Sequence, residues 1–159
     1  LDSTVPEAFI IESAIKLGVD FLSMDGFECA GHVGEIDMTS FIILSRARQE
    51  FKMPFIASGG FADGQELAAV LALGADGVNM GTRFMCTVEL PIHHRIKERI
   101  IAVDEHQTAL VLRRWRNTPR LFRNKVAEDT LKAEKESMAG EFICLLRYTL
   151  RQKISEVIR

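Results

Sequence analysis

The chain has 159 residues, 47% hydrophobic and 26% charged, with a formal net charge of −2. That length fits one ordinary domain with a sizeable core, and the near-balanced charge gives no global attraction to nucleic acid or to an anionic membrane surface. No apolar run reaches the roughly 18 residues of a membrane span, and the first residues lack the basic-then-apolar layout of a signal peptide, so a soluble, cytoplasmic protein is expected.

In chain order, Thr4 can cap a helix with Glu7 as its return partner and Pro6 in the first turn; Ile11, Ala14 and Ile15 give it an apolar face and Gly18 closes it. The next segment, "VDFLSM" (19–24), is short, apolar and bounded by glycine-bearing turns, and reads as a buried strand. "CAGHVGEID" (29–37) forms the loop after it. A helix is expected over Ser40–Gln49, followed by "MPFIAS" (53–58) as a second strand with Pro54 near its entrance. Gly59 and Gly60 end that strand. Asp63 and Glu66 have capping-box spacing and open a helix that runs through Leu67, Val70 and Leu71 to Gly74. A third strand, "DGVNM" (76–80), leads into the turn "MGT" (80–82). From Pro91 onward the pattern changes to an amphipathic helix over 92–103, a short strand within "TALVLRRW" (108–115), and charge-rich helical sequence to Arg159. This last part is expected as an appendage.

"LGVDFLSMDG" (17–26) and "LGADGVNMGT" (73–82) echo one another: a helix closes on Leu-Gly, an aspartate begins a strand, and a methionine precedes a glycine-bearing turn. The copies lie 56 residues apart, about two strand-plus-helix units, as expected for the first and third members of a parallel series. The pattern therefore predicts a parallel α/β fold with strands apolar on both faces. Neither the GxGxxG of a dinucleotide fold nor the GxxxxGK of a phosphate-binding loop occurs. Two successive strands instead end in small-residue turns, which suits half of a (β/α)₈ barrel, where such loops face anions with their backbone N–H groups. The chain begins at Leu1 and opens directly on a helix start, so it is expected to be part of something longer.

Gly59, Gly60, Gly81 and Thr82 can form a phosphate cradle: glycines allow positive φ and close backbone approach, and the threonine adds a hydroxyl. The plainer reading is turn punctuation, but two such turns at the same ends of adjacent strands favour the cradle. His32 follows a strand's carboxyl end, where barrel enzymes keep reactive groups, and imidazole exchanges protons near neutral pH. A histidine in a glycine-rich turn is nevertheless more often a surface or hydrogen-bonding residue, and Glu28, Glu35 and Asp37 can either orient it or be solvated. His93 and His94 are adjacent on a predicted helix, point apart, and read as surface residues. No HExxH or CxxC occurs, so no metal site is expected, and Cys29, Cys86 and Cys144 read as thiols. The basic run of Arg113, Arg114, Arg116, Arg120, Arg123 and Lys125 lacks interleaved aromatic platforms and reads as a solvated or intersegment surface, with Trp115 packing.

Taken together, "DGFECAGHVGE", "PFIASGGFADG" and "LGADGVNMGTRF" resemble the nitronate monooxygenase family, formerly grouped as 2-nitropropane dioxygenases, over residues 4–125. The resemblance implies an FMN-dependent (β/α)₈ barrel, of which 1–125 would be the second half and 126–159 a helical C-terminal extension. It implies that His32 lies near the flavin as catalytic base. It also implies that Gly59, Gly60, Asn79, Met80, Gly81 and Thr82 hold the FMN phosphate, with Asp25 and Ala30 in the flavin-facing segment. The implied reaction is oxidation of alkyl nitronates by dioxygen to a carbonyl compound and nitrite. Many members have Gln at the position of Asp25 and Gly at that of Ala30. An aspartate close to a reduced, anionic flavin opposes it, so Asp25 is expected to turn away or to titrate; Ala30 keeps a backbone contact if its φ is negative. FMN-dependent enoyl-acyl-carrier-protein reductases share the histidine and both glycine turns and form the alternative, alongside a truncated barrel fragment without activity of its own. A half barrel would need a homo-oligomer or its missing N-terminal half as partner.

Overall fold

The computed structural model of the chain describes residues 13–136. The predicted cap of the first helix, at Thr4 to Glu7, and the helical sequence after 136, with Cys144, lie outside the described residues. Residues 13–17 are helical and end at Gly18, whose φ of +74° allows the left-handed stop that the sequence suggests.

Three strands, β1 (Leu22–Asp25), β3 (Phe55–Ser58) and β4 (Gly77–Asn79), form a parallel sheet in the order β1-β3-β4. The echoing segments thus lead into its first and third strands. Helix α1 (Ser40–Glu50) connects β1 to β3 and α2 (Gly64–Ala72) connects β3 to β4. Both pack on one face, where Phe55, Ala57, Leu44, Ala47 and Val70 are buried and Leu22, Met24 and Val78 join them. Phe55 is 0% exposed and meets Phe51 edge to face at 5.7 Å. The strands are shorter than the apolar runs suggest because Val19 and Phe21 precede the ladder and are exposed. Asp76 is not a strand residue: its amide donates to the carbonyl of Phe55 at 2.8 Å, and its carboxylate accepts from the amide of Phe55 at 3.0 Å.

The other face corrects the expectation of strands apolar on both sides. Pairing places Ser23, Ile56 and Gly77 in one row and Asp25, Ser58 and Asn79 in the next, on the side opposite the helices by pleat alternation. Those rows are small or polar, apart from Ile56. One face therefore carries the core and the other is free for polar work.

The capping box at α2 forms as its spacing predicts. Asp63 accepts from the amides of Gln65 and Glu66 at 2.9 and 3.0 Å, and Glu66 accepts from the amide of Asp63 at 3.1 Å. Asp63→Ala is expected to lower the unfolding free energy by about 1 kcal/mol, read as a shift in the denaturant midpoint with unchanged slope.

A second sheet was not legible as such. β2 (Gly31–His32), β5 (Thr108–Leu110) and β6 (Pro119–Phe122) pair antiparallel in the order β2-β6-β5. The strand expected within 108–115 ends at Leu110. A 3₁₀ turn over Arg113–Trp115 replaces its second half, flanked by Leu112 and Arg116 at φ of +61° and +51°. Left-handed non-glycine residues cost about 1–2 kcal/mol each. Glu134 of helix α5 (Lys125–Glu136) offsets that cost by accepting from the amides of Leu112 and Arg114 at 2.8 and 3.0 Å. Ala127 and Leu131 of the same helix pack on Ala109, Val111, Leu112 and Trp115, giving the second sheet a small core of its own.

Between the two units lie a short helix α3 (Thr82–Met85) and helix α4 (His94–Ile101). His93 is the cap of α4 rather than a residue within it, so the two histidines do not point apart: their rings stack at 4.5 Å. Both are exposed, as expected. No helix among the described residues is long and apolar enough to cross a membrane.

Candidate functional site

The carboxyl ends of all three parallel strands lie side by side. Asp25 pairs with Ser58, and Ser58 with Asn79, whose Nδ2 donates to Ser58 Oγ at 3.4 Å. Asp25 shares the open face of the sheet with these two residues. Ser58 is buried at the centre of this row. Sequence reasoning passed over it, although a hydroxyl immediately before Gly-Gly at a strand end was the available signal.

From this row run the two glycine turns and the loop with the histidine. Gly59 and Gly60 follow β3 with φ of +87° and +84°. A Cβ at Gly59 would sit 2.5 Å from the Cβ of Cys29 and 2.7 Å from its Cα, and one at Gly60 would sit 2.7 Å from the Cβ of Glu28. These two glycines thus let the loop after β1 lie directly against the end of β3. Gly81 is different: its φ is −88°, and a Cβ there would meet nothing among the described residues within 4 Å. The fold does not need a glycine at that position, and the space over it is open. Thr82 is exposed beside it at the first position of α3. Arg83, the next residue, donates through Nε to the carbonyl of Ala62, which ties the second glycine turn to the first.

The loop after β1 is fixed by its acids rather than served by them. Glu28 accepts from the amide of Ser40 at 2.9 Å, and the Ser40 hydroxyl lies 3.0 Å from the same carboxylate and 3.3 Å from the carbonyl of Gly59. Thr39, the cap residue of α1, makes no side-chain cap bond, so Glu28 supplies the anion at that helix start from outside. Gly26 permits the arrangement, because a Cβ there would fall 2.0 Å from Ser40 Oγ. Glu35 accepts from the amide and the hydroxyl of Thr118, both at 3.0 Å, and Asp37 pairs with Arg113 at 2.6 Å. Each of the three acids is thereby committed elsewhere than to His32.

His32 is exposed and forms β2 with Gly31, whose φ is +76°. Ala30 precedes them, also exposed, and Cys29 Sγ lies 3.8 Å from the carbonyl of His32. Burial pushes the Cys29 thiol up, and the nearby carboxylate of Asp25 adds to the effect, so this cysteine stays protonated at neutral pH. It fills space between the loop and Gly59. The basic run acts between segments: Arg113 and Arg120 lie over the ring of Phe27 at 5.8 and 5.0 Å.

Comparison with known proteins bears on what this arrangement serves. A protein of Bacillus subtilis (strain 168) named probable nitronate monooxygenase is 29% identical over 160 residues, covering 96% of this chain and 45% of its own length. FabK from Thermotoga maritima superposes with a TM-score of 0.73 at 34% identity, over 82% of this chain and 40% of that one. The nitroalkane oxidase of Streptomyces ansochromogenes superposes with a TM-score of 0.59 at 29% identity, over 77% and 37%. The chain thus spans less than half the length of these relatives. Residues 3–156 match the sequence pattern named nitronate monooxygenase, and on that match the chain belongs to the nitronate monooxygenase family.

Proposed function

We propose that the chain is the cofactor-binding half of an FMN-dependent (β/α)₈ barrel that oxidises alkyl nitronates with dioxygen to a carbonyl compound and nitrite. In this reading 1–125 contributes the barrel half and 126–159 extends it. The observation that carries it is the convergence, at one end of the parallel sheet, of the row Asp25, Ser58 and Asn79 with both glycine turns and the start of the His32 loop. A sheet whose consecutive strands are neighbours and whose helices share one face supports a barrel over a doubly wound fold. The polar second face and the two sheet edges are where the rest of a barrel would close.

The residues fit the cofactor. Gly81 offers open space for a phosphate, the Thr82 hydroxyl is exposed beside it, and Arg83 adds positive charge. Gly59, Gly60, Asn79 and Met80 complete the grip, and Asp25 and Ala30 line the approach to the ring. FMN, when bound, supplies the electron acceptor and the path to dioxygen. His32, exposed on its loop, is the general base that takes the proton from the carbon bearing the nitro group when the substrate arrives neutral. The small and polar residues of the open face orient the substrate beside it.

Gly81→Ala separates binding from folding. Because a Cβ there meets nothing among the described residues, the melting temperature is expected to hold, while FMN affinity falls about tenfold as the methyl group enters the phosphate space. A titration of flavin fluorescence on the intact protein measures it. Unchanged affinity would remove Gly81 from the grip. The enoyl-acyl-carrier-protein reductase alternative predicts NADH oxidation that depends on an enoyl thioester, with no nitrite formed from a nitronate.

A further inference from the structure

We propose that strand β6 and the residue before it, through Arg120 and Thr118, form the positioning element that holds the His32 loop in place; its consequence for the reaction rests on the reading of His32 as the base. The loop from Phe27 to Glu35 is tethered to this one short strand and the residue before it at three points. At its start, Arg120 Nη2 donates to the carbonyl of Phe27 at 3.0 Å while the guanidinium lies over the Phe27 ring at 5.0 Å. In its middle, Gly31 and His32 pair with Arg120 and Pro119, and the amide of Val33 donates to the carbonyl of Thr118 at 3.0 Å. At its end, the Glu35 carboxylate accepts from both the amide and the hydroxyl of Thr118.

Each tether has the chemistry of a fixed point rather than a passing contact. Thr118 is 2% exposed, so its hydroxyl and amide depend on Glu35 for partners. Arg120 uses the fork of its guanidinium to reach two segments at once, since Nη1 also donates to Thr108 Oγ1 of β5 at 3.1 Å. The Arg113–Asp37 pair adds little, being exposed at both ends. The His32 backbone is therefore set by the second sheet, while the cofactor turns are set by the first. The loop that β6 holds starts from the end of β1 and lies against Gly59 and Gly60 at the end of β3.

The test uses Thr118→Val, which keeps the buried shape and removes the hydroxyl, with Thr118→Ser as the variant that restores it. In hydrogen exchange on the full chain, Thr118→Val is expected to speed exchange of the amides of residues 27–35 about five- to tenfold, leaving β3 and β4 unchanged, and Thr118→Ser to reverse this. In the intact protein given a neutral nitroalkane, kcat is expected to fall about tenfold with KM little changed, because a small displacement of a base is costly to rate. In a His32→Ala background the same substitution is expected to cost nothing further. Unchanged exchange in the loop, equal acceleration in β3 and β4, or a full additional loss in the His32→Ala background would each overturn the proposal. If His32→Ala alone leaves turnover of the neutral nitroalkane intact, the base reading fails, and the exchange pattern still decides whether β6 holds the loop.

Discussion

His32→Ala is expected to lower turnover of a neutral nitroalkane by the intact protein by about 10²- to 10⁴-fold, the range that a positioned general base contributes. Folding should be little affected. The imidazole is exposed, and what fixes the loop is its pairing with β6 and the anchors at Glu28 and Glu35, none of which needs the His32 side chain. The melting temperature and the flavin content are thus expected to stay near those of the parent. A nitronate supplied already deprotonated should be spared more than the neutral nitroalkane, because the base is needed to remove the proton from carbon. Steady-state rates with the two substrate forms give this comparison, and equal rates for parent and variant with both would end the assignment.

Gly59→Ala is expected to destabilise the fold by about 2–5 kcal/mol, combining a left-handed backbone penalty of about 1–2 with an overpacking cost of about 1–3. The position has φ of +87°, and the added Cβ would come within 2.5–2.8 Å of the Cβ, Cα and N of Cys29. The atoms in the way include backbone, which cannot swing aside like the end of a side chain. Relief requires the loop after β1 to move off β3, which would break the 3.3 Å contact between Ser40 Oγ and Gly59 O and shift Glu28 on the start of α1. A lowered denaturant midpoint together with weaker flavin binding is the expected result. A midpoint within about 0.5 kcal/mol of the parent would show that the close packing of this turn is not as described.

The contrast between Gly59 and Gly81 shows what the sequence could and could not convey. Both glycines stand at the carboxyl end of a strand and read alike as parts of a cradle. Only the fold reveals that Gly59 is demanded by Cys29 and its own φ, whereas Gly81 is demanded by nothing among the described residues. The parallel units were legible because local signals agreed: the capping box at Asp63 and Glu66, the glycine stop at Gly74, and the echoed Leu-Gly segments all pointed to strand-helix-strand. The second sheet was not, because β2 has two residues, β5 has three, and β6 begins at a proline and carries Arg120, leaving no run long enough for period-two alternation. Its pairing joins Gly31 to Arg120, a long-range contact that no local pattern announces. The same is true of the acids. Glu28, Glu35 and Asp37 stood near His32 in sequence, but Ser40, 12 residues from Glu28, and Thr118 and Arg113, 83 and 76 residues from Glu35 and Asp37, claim them.

Nitrite release tests the proposed chemistry most directly. The intact protein, loaded with FMN and given an alkyl nitronate under air, is expected to consume dioxygen and release nitrite in step with the carbonyl product, with no nicotinamide required. Nitrite no greater than in a protein-free control, accompanied by NADH oxidation on addition of an enoyl thioester, would contradict it.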